Sequence, residues 1–121
     1  MVEVIHKQFD NPDAVTHFEK GKFETVIIGG MTIGRATYRP GWKWSEDIGP
    51  GIGEECCTVE LVGMVVSGCA TAAFADSRVT EMRSADLFYV PSQPHDGWVV
   101  GHEPYVSLHF LGAPKYAKSA S

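Results

Sequence analysis

The chain has no run of basic residues, no apolar stretch of about eighteen residues and no long segment of helical period. With 10 Lys plus Arg against 15 Asp plus Glu and a net charge of −5, it lacks the clustered cations through which nucleic acids and anionic membranes are bound, so neither is expected as a partner. Without a long apolar stretch there is no candidate membrane-spanning helix, and Met1-Val2-Glu3-Val4-Ile5-His6 lacks the apolar core of a signal peptide. The expectation is a cytoplasmic protein. Cysteine is scarce as well: Cys56, Cys57 and Cys69 are an odd number without Cys-x-x-Cys spacing, which argues against a disulfide framework and leaves them as small hydrophobes. The glycine-rich stretch Glu46 to Gly53 is followed by no Gly-Lys-Ser/Thr, so it reads as a loop rather than a phosphate cradle.

What is present is β pattern. A chain of 121 residues and 13.2 kDa suggests one domain, with roughly two thirds of its unfolded surface buried. Thr25 to Ile28 ends at Gly29-Gly30, and Met31 to Arg39 alternates until Pro40-Gly41 stops it. Cys57 to Ser67 reads as a strand closed by Gly68 and Cys69 to Ala75 as the next, with Asp76-Ser77 turning into Arg78 to Met82. Ser84-Ala85-Asp86 turns into Leu87 to Val90, and the Pro91-to-Pro94 turn delivers His95 just before Trp98-Val99-Val100. Tyr105 to Leu111 is the last strand, and Gly112-Ala113-Pro114 begins a tail expected to fray. Trp42-Lys43-Trp44-Ser45 reads as extended, which puts both indoles on one face. Residues 1 to 23 read as an edge strand and loops, with Asp13 to Lys20 as a helical turn in the alternative. Short strands between Gly/Pro turns predict an all-β barrel or sandwich of about ten strands, with helix under about a tenth of the chain.

Over about residues 33 to 111 the chain resembles the cupins, small jelly-roll β-barrels, in the phrases Ala36-Thr37-Tyr38-Arg39-Pro40-Gly41-Trp42-Lys43-Trp44-Ser45, Val65-Val66-Ser67-Gly68 and Pro94-His95-Asp96-Gly97-Trp98-Val99-Val100-Gly101. The resemblance implies an N-terminal segment over 1–32 packing on the barrel or at a dimer interface, a barrel over 33–112 and a C-terminal tail over 113–121. Anchoring the first motif's glycine on Gly68 puts its glutamate position at Leu61 and its histidine positions at Cys57 and Glu55, while His95 stands for the histidine of the second motif. Three imidazoles and a carboxylate are the usual set, so the implied metal site departs from its pattern. Glu55, Cys57 and His95 are its candidate ligands for zinc, iron, manganese or nickel, with Asp47, Cys56, Glu60 and Asp96 in reserve should the register slip; the alternative is a barrel without metal.

Two functional classes follow. In the first, the barrel mouth, lined by Trp42, Trp44, Tyr89, His95 and Trp98, binds a small organic ligand. In the second, the protein is a metal-dependent dioxygenase, isomerase or lyase with His95 as a ligand or general acid/base. A homodimer is expected through the apolar segments Val2 to Ile5 and Thr25 to Ile28.

Overall fold

The structure is a computed structural model and describes residues 3–118. The chain forms β1 (Ala14–Phe18), β2 (Gly21–Ile28), β3 (Met31–Tyr38), the one-turn helices α1 (Trp44–Asp47) and α2 (Gly49–Ile52), β4 (Leu61–Ser67), β5 (Cys69–Phe74), β6 (Val79–Arg83), β7 (Leu87–Val90), β8 (His95–Val99) and β9 (Tyr105–Leu111). Six strands pair in the order β1-β2-β3-β9-β4-β7 and three in the order β6-β5-β8, all antiparallel. The two sheets share one core, in which Phe23, Tyr38, Val65 and Tyr105 of the larger meet Ala70 and Val99 of the smaller. The all-β barrel expectation holds, with nine strands rather than about ten and two short helical turns among the described residues.

Period-two alternation decides which side chains reach that core. On β9, Tyr105, Ser107 and His109 are buried and the residues between them are half-buried. On β8 the buried positions are His95 and Val99. The β2–β3 hairpin closes on Gly29 and Gly30, both at positive φ (58° and 77°), as a two-residue turn that continues the strand twist requires. Gly68 joins β4 to β5 at φ 81°, and a side chain there would meet the Pro104 carbonyl oxygen at 2.5 Å. A larger residue would thus combine backbone strain with a clash.

Four local expectations are corrected. Trp42 to Ser45 does not stay extended: Lys43 bridges to Trp98, and α1 starts at Trp44 because the Asp96 carboxylate accepts hydrogen bonds from the Ser45 backbone N–H (3.0 Å) and hydroxyl (2.7 Å). Glu46 to Gly53 is likewise not a plain loop, since it holds the rest of α1 and all of α2. Cys57 makes an isolated bridge to His95, and the regular strand begins only at Leu61. The tail is packed rather than frayed, with Ala113, Tyr116 and Ala117 buried in the core; residues 119–121 lie outside the described residues.

Of the segments expected at a dimer interface, Thr25 to Ile28 belongs to β2, where all four residues pair with β3 and Thr25 also with β1. Residues 3–8 form no strand and leave Val4 and Ile5 exposed, and Val2 lies outside the described residues. No helix of the described chain is long and apolar enough to cross a membrane.

Candidate functional site

Between the two sheets lies a cavity of about 60 Å³. Its wall is mostly aromatic. Tyr38 is stacked between Trp42 (centroids 3.7 Å apart, rings within 1° of parallel) and Tyr105 (5.6 Å, 7°), and its hydroxyl shares a hydrogen bond with that of Tyr116. Burial raises the phenols of Tyr38 and Tyr116 well above their ordinary value and pushes Tyr105 up to about 12, so all three are neutral donors.

His95 enters the wall from the first position of β8. Its Nδ1 lies 2.9 Å from the Gln93 carbonyl oxygen; that oxygen only accepts, so Nδ1 carries the proton and Nε2 keeps its lone pair. The intervening Pro94 fixes this turn, and Arg78 donates to the Gln93 side chain at 3.2 Å. The ring packs against Phe74, and desolvation lowers its pKa despite the Gln93 carbonyl and the Asp96 charge, which act the other way. Opposite His95 stands Cys57, whose thiol is pushed up to about 11, mainly by burial.

His109, which the sequence reading did not single out, lies in a box formed by Phe23, Phe88 and Tyr116 and also lines the cavity. Its Nε2 is 3.0 Å from the Ser107 hydroxyl, while Nδ1 is buried without a protein partner, and desolvation pushes its pKa down to about 4. The indole N–H groups of Trp42 and Trp44 are also buried without a protein partner. The cavity is therefore electrically neutral near pH 7 apart from Asp96, whose carboxylate is held by Ser45 and the Gly97 backbone N–H (2.8 Å), with Lys43 Nζ at 3.9 Å.

The expected binding residues divide. Trp42, Trp44 and His95 line the cavity. Tyr89 is corrected to the outer face of β7, where it is 60% exposed and donates to Glu60. Trp98 is corrected to the outer face of β8, half-buried beneath Lys43 Nζ at 5.6 Å from the ring centroid. The implied metal set separates in the same way: Cys57 and His95 face each other, Glu55 is exposed and Leu61 is buried in the core. Among the described residues no three of His, Cys, Asp and Glu come together as metal ligands, so the interior does not fit the three-imidazole, one-carboxylate centre that the resemblance implies.

No family model and no curated protein matches the chain. Solved structures do. A structural-genomics protein of unknown function from Rhizobium leguminosarum bv. viciae 3841 superposes with a TM-score of 0.62 at 15% identity, over 89% of this chain and 95% of that one. A conserved, uncharacterised protein with a double-stranded β-helix domain from Klebsiella pneumoniae gives 0.57 at 15% identity, over 80% and 75%. The formate complex of oxalate decarboxylase from Lactobacillus farciminis gives 0.59 at 19%, over 85% of this chain but 32% of that one. Likeness at such identities bears on architecture alone. With the two antiparallel sheets closed around one core, it shows that the fold of the chain is a single-domain double-stranded β-helix, the cupin-type barrel.

Proposed function

We propose that the protein binds a small molecule of a few non-hydrogen atoms, rich in hydrogen-bond acceptors, inside its barrel. One observation carries this reading: the indole N–H groups of Trp42 and Trp44 and the Nδ1 of His109 are all buried without a protein partner, and all three residues line one cavity. Each buried polar group without a partner costs about 1–3 kcal/mol, which a ligand that supplies the partner recovers. Size limits the ligand. A drug-sized molecule needs roughly 300–1,000 Å³, whereas the 60 Å³ present is about the volume of two water molecules in the liquid. Formate, acetate and acetamide represent the class, and formate occupies the oxalate decarboxylase structure that this chain resembles. The enzyme class, a metal-dependent dioxygenase, isomerase or lyase, has less support, because the usual ligand set is not assembled among the described residues.

Nuclear magnetic resonance of the ¹⁵N-labelled protein tests the reading. The three tryptophans give three indole N–H signals, and titration with formate, acetate or acetamide should move those of Trp42 and Trp44 while Trp98, outside the barrel, stays still. Replacing Trp44 with Phe removes one donor and should weaken binding roughly five- to tenfold, the equivalent of one hydrogen bond of about 1 kcal/mol. Indole signals that ignore all three probes, or a Trp98 signal that moves as much as the others, would overturn it.

A further inference from the structure

Cys57 and His95 form a closed antiparallel pair where the two sheets meet. The Cys57 N–H donates to the His95 carbonyl at 2.8 Å and the His95 N–H donates to the Cys57 carbonyl at 3.0 Å. Such a pair holds its Cα atoms about 5.5 Å apart with both side chains on one face. Here that face is the cavity, which both residues line. His95 is held by Gln93 in the tautomer that leaves Nε2 as a lone pair, and burial keeps the Cys57 thiol protonated until an ion displaces the proton.

We propose that Cys57 and His95 together form a two-coordinate site for a soft monovalent metal ion, of the Cu⁺ or Ag⁺ class. Ligand chemistry supports this, because thiolate and imidazole suit soft ions and zinc alike, but zinc takes four ligands and no third His, Cys, Asp or Glu joins the pair among the described residues. Charge supports it independently. A thiolate exactly neutralises a monovalent ion, whereas a divalent ion would leave one uncompensated positive charge in an apolar wall. Among the described residues the second negative charge at hand is Asp96, which is already engaged by Ser45, the Gly97 N–H and Lys43, while Leu61 stands where the resemblance puts a carboxylate and Glu55 is exposed. Geometry allows it too. With zinc distances as a guide, a linear sulfur–metal–nitrogen bridge spans about 4.3 Å, within reach of two side chains mounted on directly opposed residues. The exchange balances as a simple displacement: the Cys57 thiol gives its proton to solvent, the sulfur binds the ion, Nε2 donates its lone pair, and no electron is transferred.

The site goes beyond the small-molecule reading and is tested separately, with Ag⁺ as a redox-inert probe. A Cys56→Ser, Cys69→Ser double variant leaves Cys57 as the one thiol of the chain. Equilibrium dialysis followed by elemental analysis should then find one Ag⁺ per chain, and titration at constant pH one proton released per ion. Adding Cys57→Ser should abolish retention and adding His95→Ala should weaken it at least tenfold, with far-UV circular dichroism confirming that each variant is folded. Mn²⁺ and Zn²⁺ should not be retained. Absence of Ag⁺ binding, retention that survives both replacements, or Mn²⁺ held as tightly as Ag⁺ would overturn the proposal. The indole titration with formate uses no metal, so the two readings fail separately.

Discussion

A histidine enclosed by Phe23, Phe88 and Tyr116 gives the folded state no good way to accept a proton. The His109 pKa is pushed down to about 4, while the unfolded chain holds the ordinary value of about 6.5. Between these values the unfolded state binds more protons, so stability is intact above pH 6.5, falls as the pH drops through that window and levels off below about 4. The full difference is roughly 3 kcal/mol, from about 1.4 kcal/mol per pH unit. Desolvation of His95 acts in the same direction. Melting temperatures between pH 7 and pH 4 should therefore fall, and a His109→Phe variant should flatten much of that slope; an unchanged slope would mean that His109 is already protonated in the native state. Half of this was open to sequence reading. Tyr105 to Leu111 alternates plainly, which places residues 105, 107 and 109 together, but that this face is the inner one depends on the neighbouring strands. For Tyr89 the pattern misleads outright: Leu87, Phe88, Tyr89 and Val90 are all apolar or aromatic, so nothing in the segment says that Phe88 and Val90 point inward while Leu87 and Tyr89 point out.

The element that departs most from its expectation is the segment after β9. Gly112-Ala113-Pro114 reads as the start of a free tail, yet Tyr116 reaches back to share a hydrogen bond with Tyr38 and packs against Phe23 at 4.8 Å between ring centroids. Its backbone N–H, like that of Lys115, donates to the Gly112 carbonyl, which curls the chain over the end of the core. The energy here is long-range burial, for which a ten-residue window holds no signal. Replacing Tyr116 with Ala should cost about 3–5 kcal/mol, the usual range for losing a buried aromatic ring, as a shift in urea midpoint. A change below about 1 kcal/mol would return this segment to the status of a loose tail. The one-turn helices have a similar origin, since α1 is anchored by Asp96, which lies 51 residues from Ser45 in the chain.

At the scale of the whole molecule, the outer face of the larger sheet carries an apolar strip. Val62 and Met64 of β4 lie directly across from Tyr89 and Leu87 of β7, and Leu87 is 76% exposed, with Val66, Phe110 and Leu111 exposed nearby on β4 and β9. We propose that the homodimer expected from the sequence forms over this strip, because an exposed apolar patch is the kind of surface a symmetric partner covers and each copy can offer the same one to the other. Light scattering at micromolar concentration should give twice the 13.2 kDa chain mass, and Leu87→Lys should halve it; a single-chain mass for the unaltered protein would refute the proposal. Residues 3–8, with Val4 and Ile5 exposed, lie outside the sheet.

The sequence by itself determined the all-β class, the last strand and most of the turns, because alternation and Gly/Pro chemistry are local: the Gly29-Gly30 hairpin and the Gly68 corner need nothing distant to define them. It also singled out His95, because a proline-fixed turn before a strand is visible in a dozen residues. Which side chains share a space was decided only by the tertiary structure. Cys57 faces His95 across 38 residues of chain, His109 joins the cavity wall from another strand, and Glu55, two residues from Cys57, is left in solvent. Parity places residues on one face only while a strand is regular, and the chain between Glu55 and Leu61 is not regular until Leu61. The closing of two sheets over one small core, through contacts far apart in the chain, therefore selected the cavity's residues where local pattern could not.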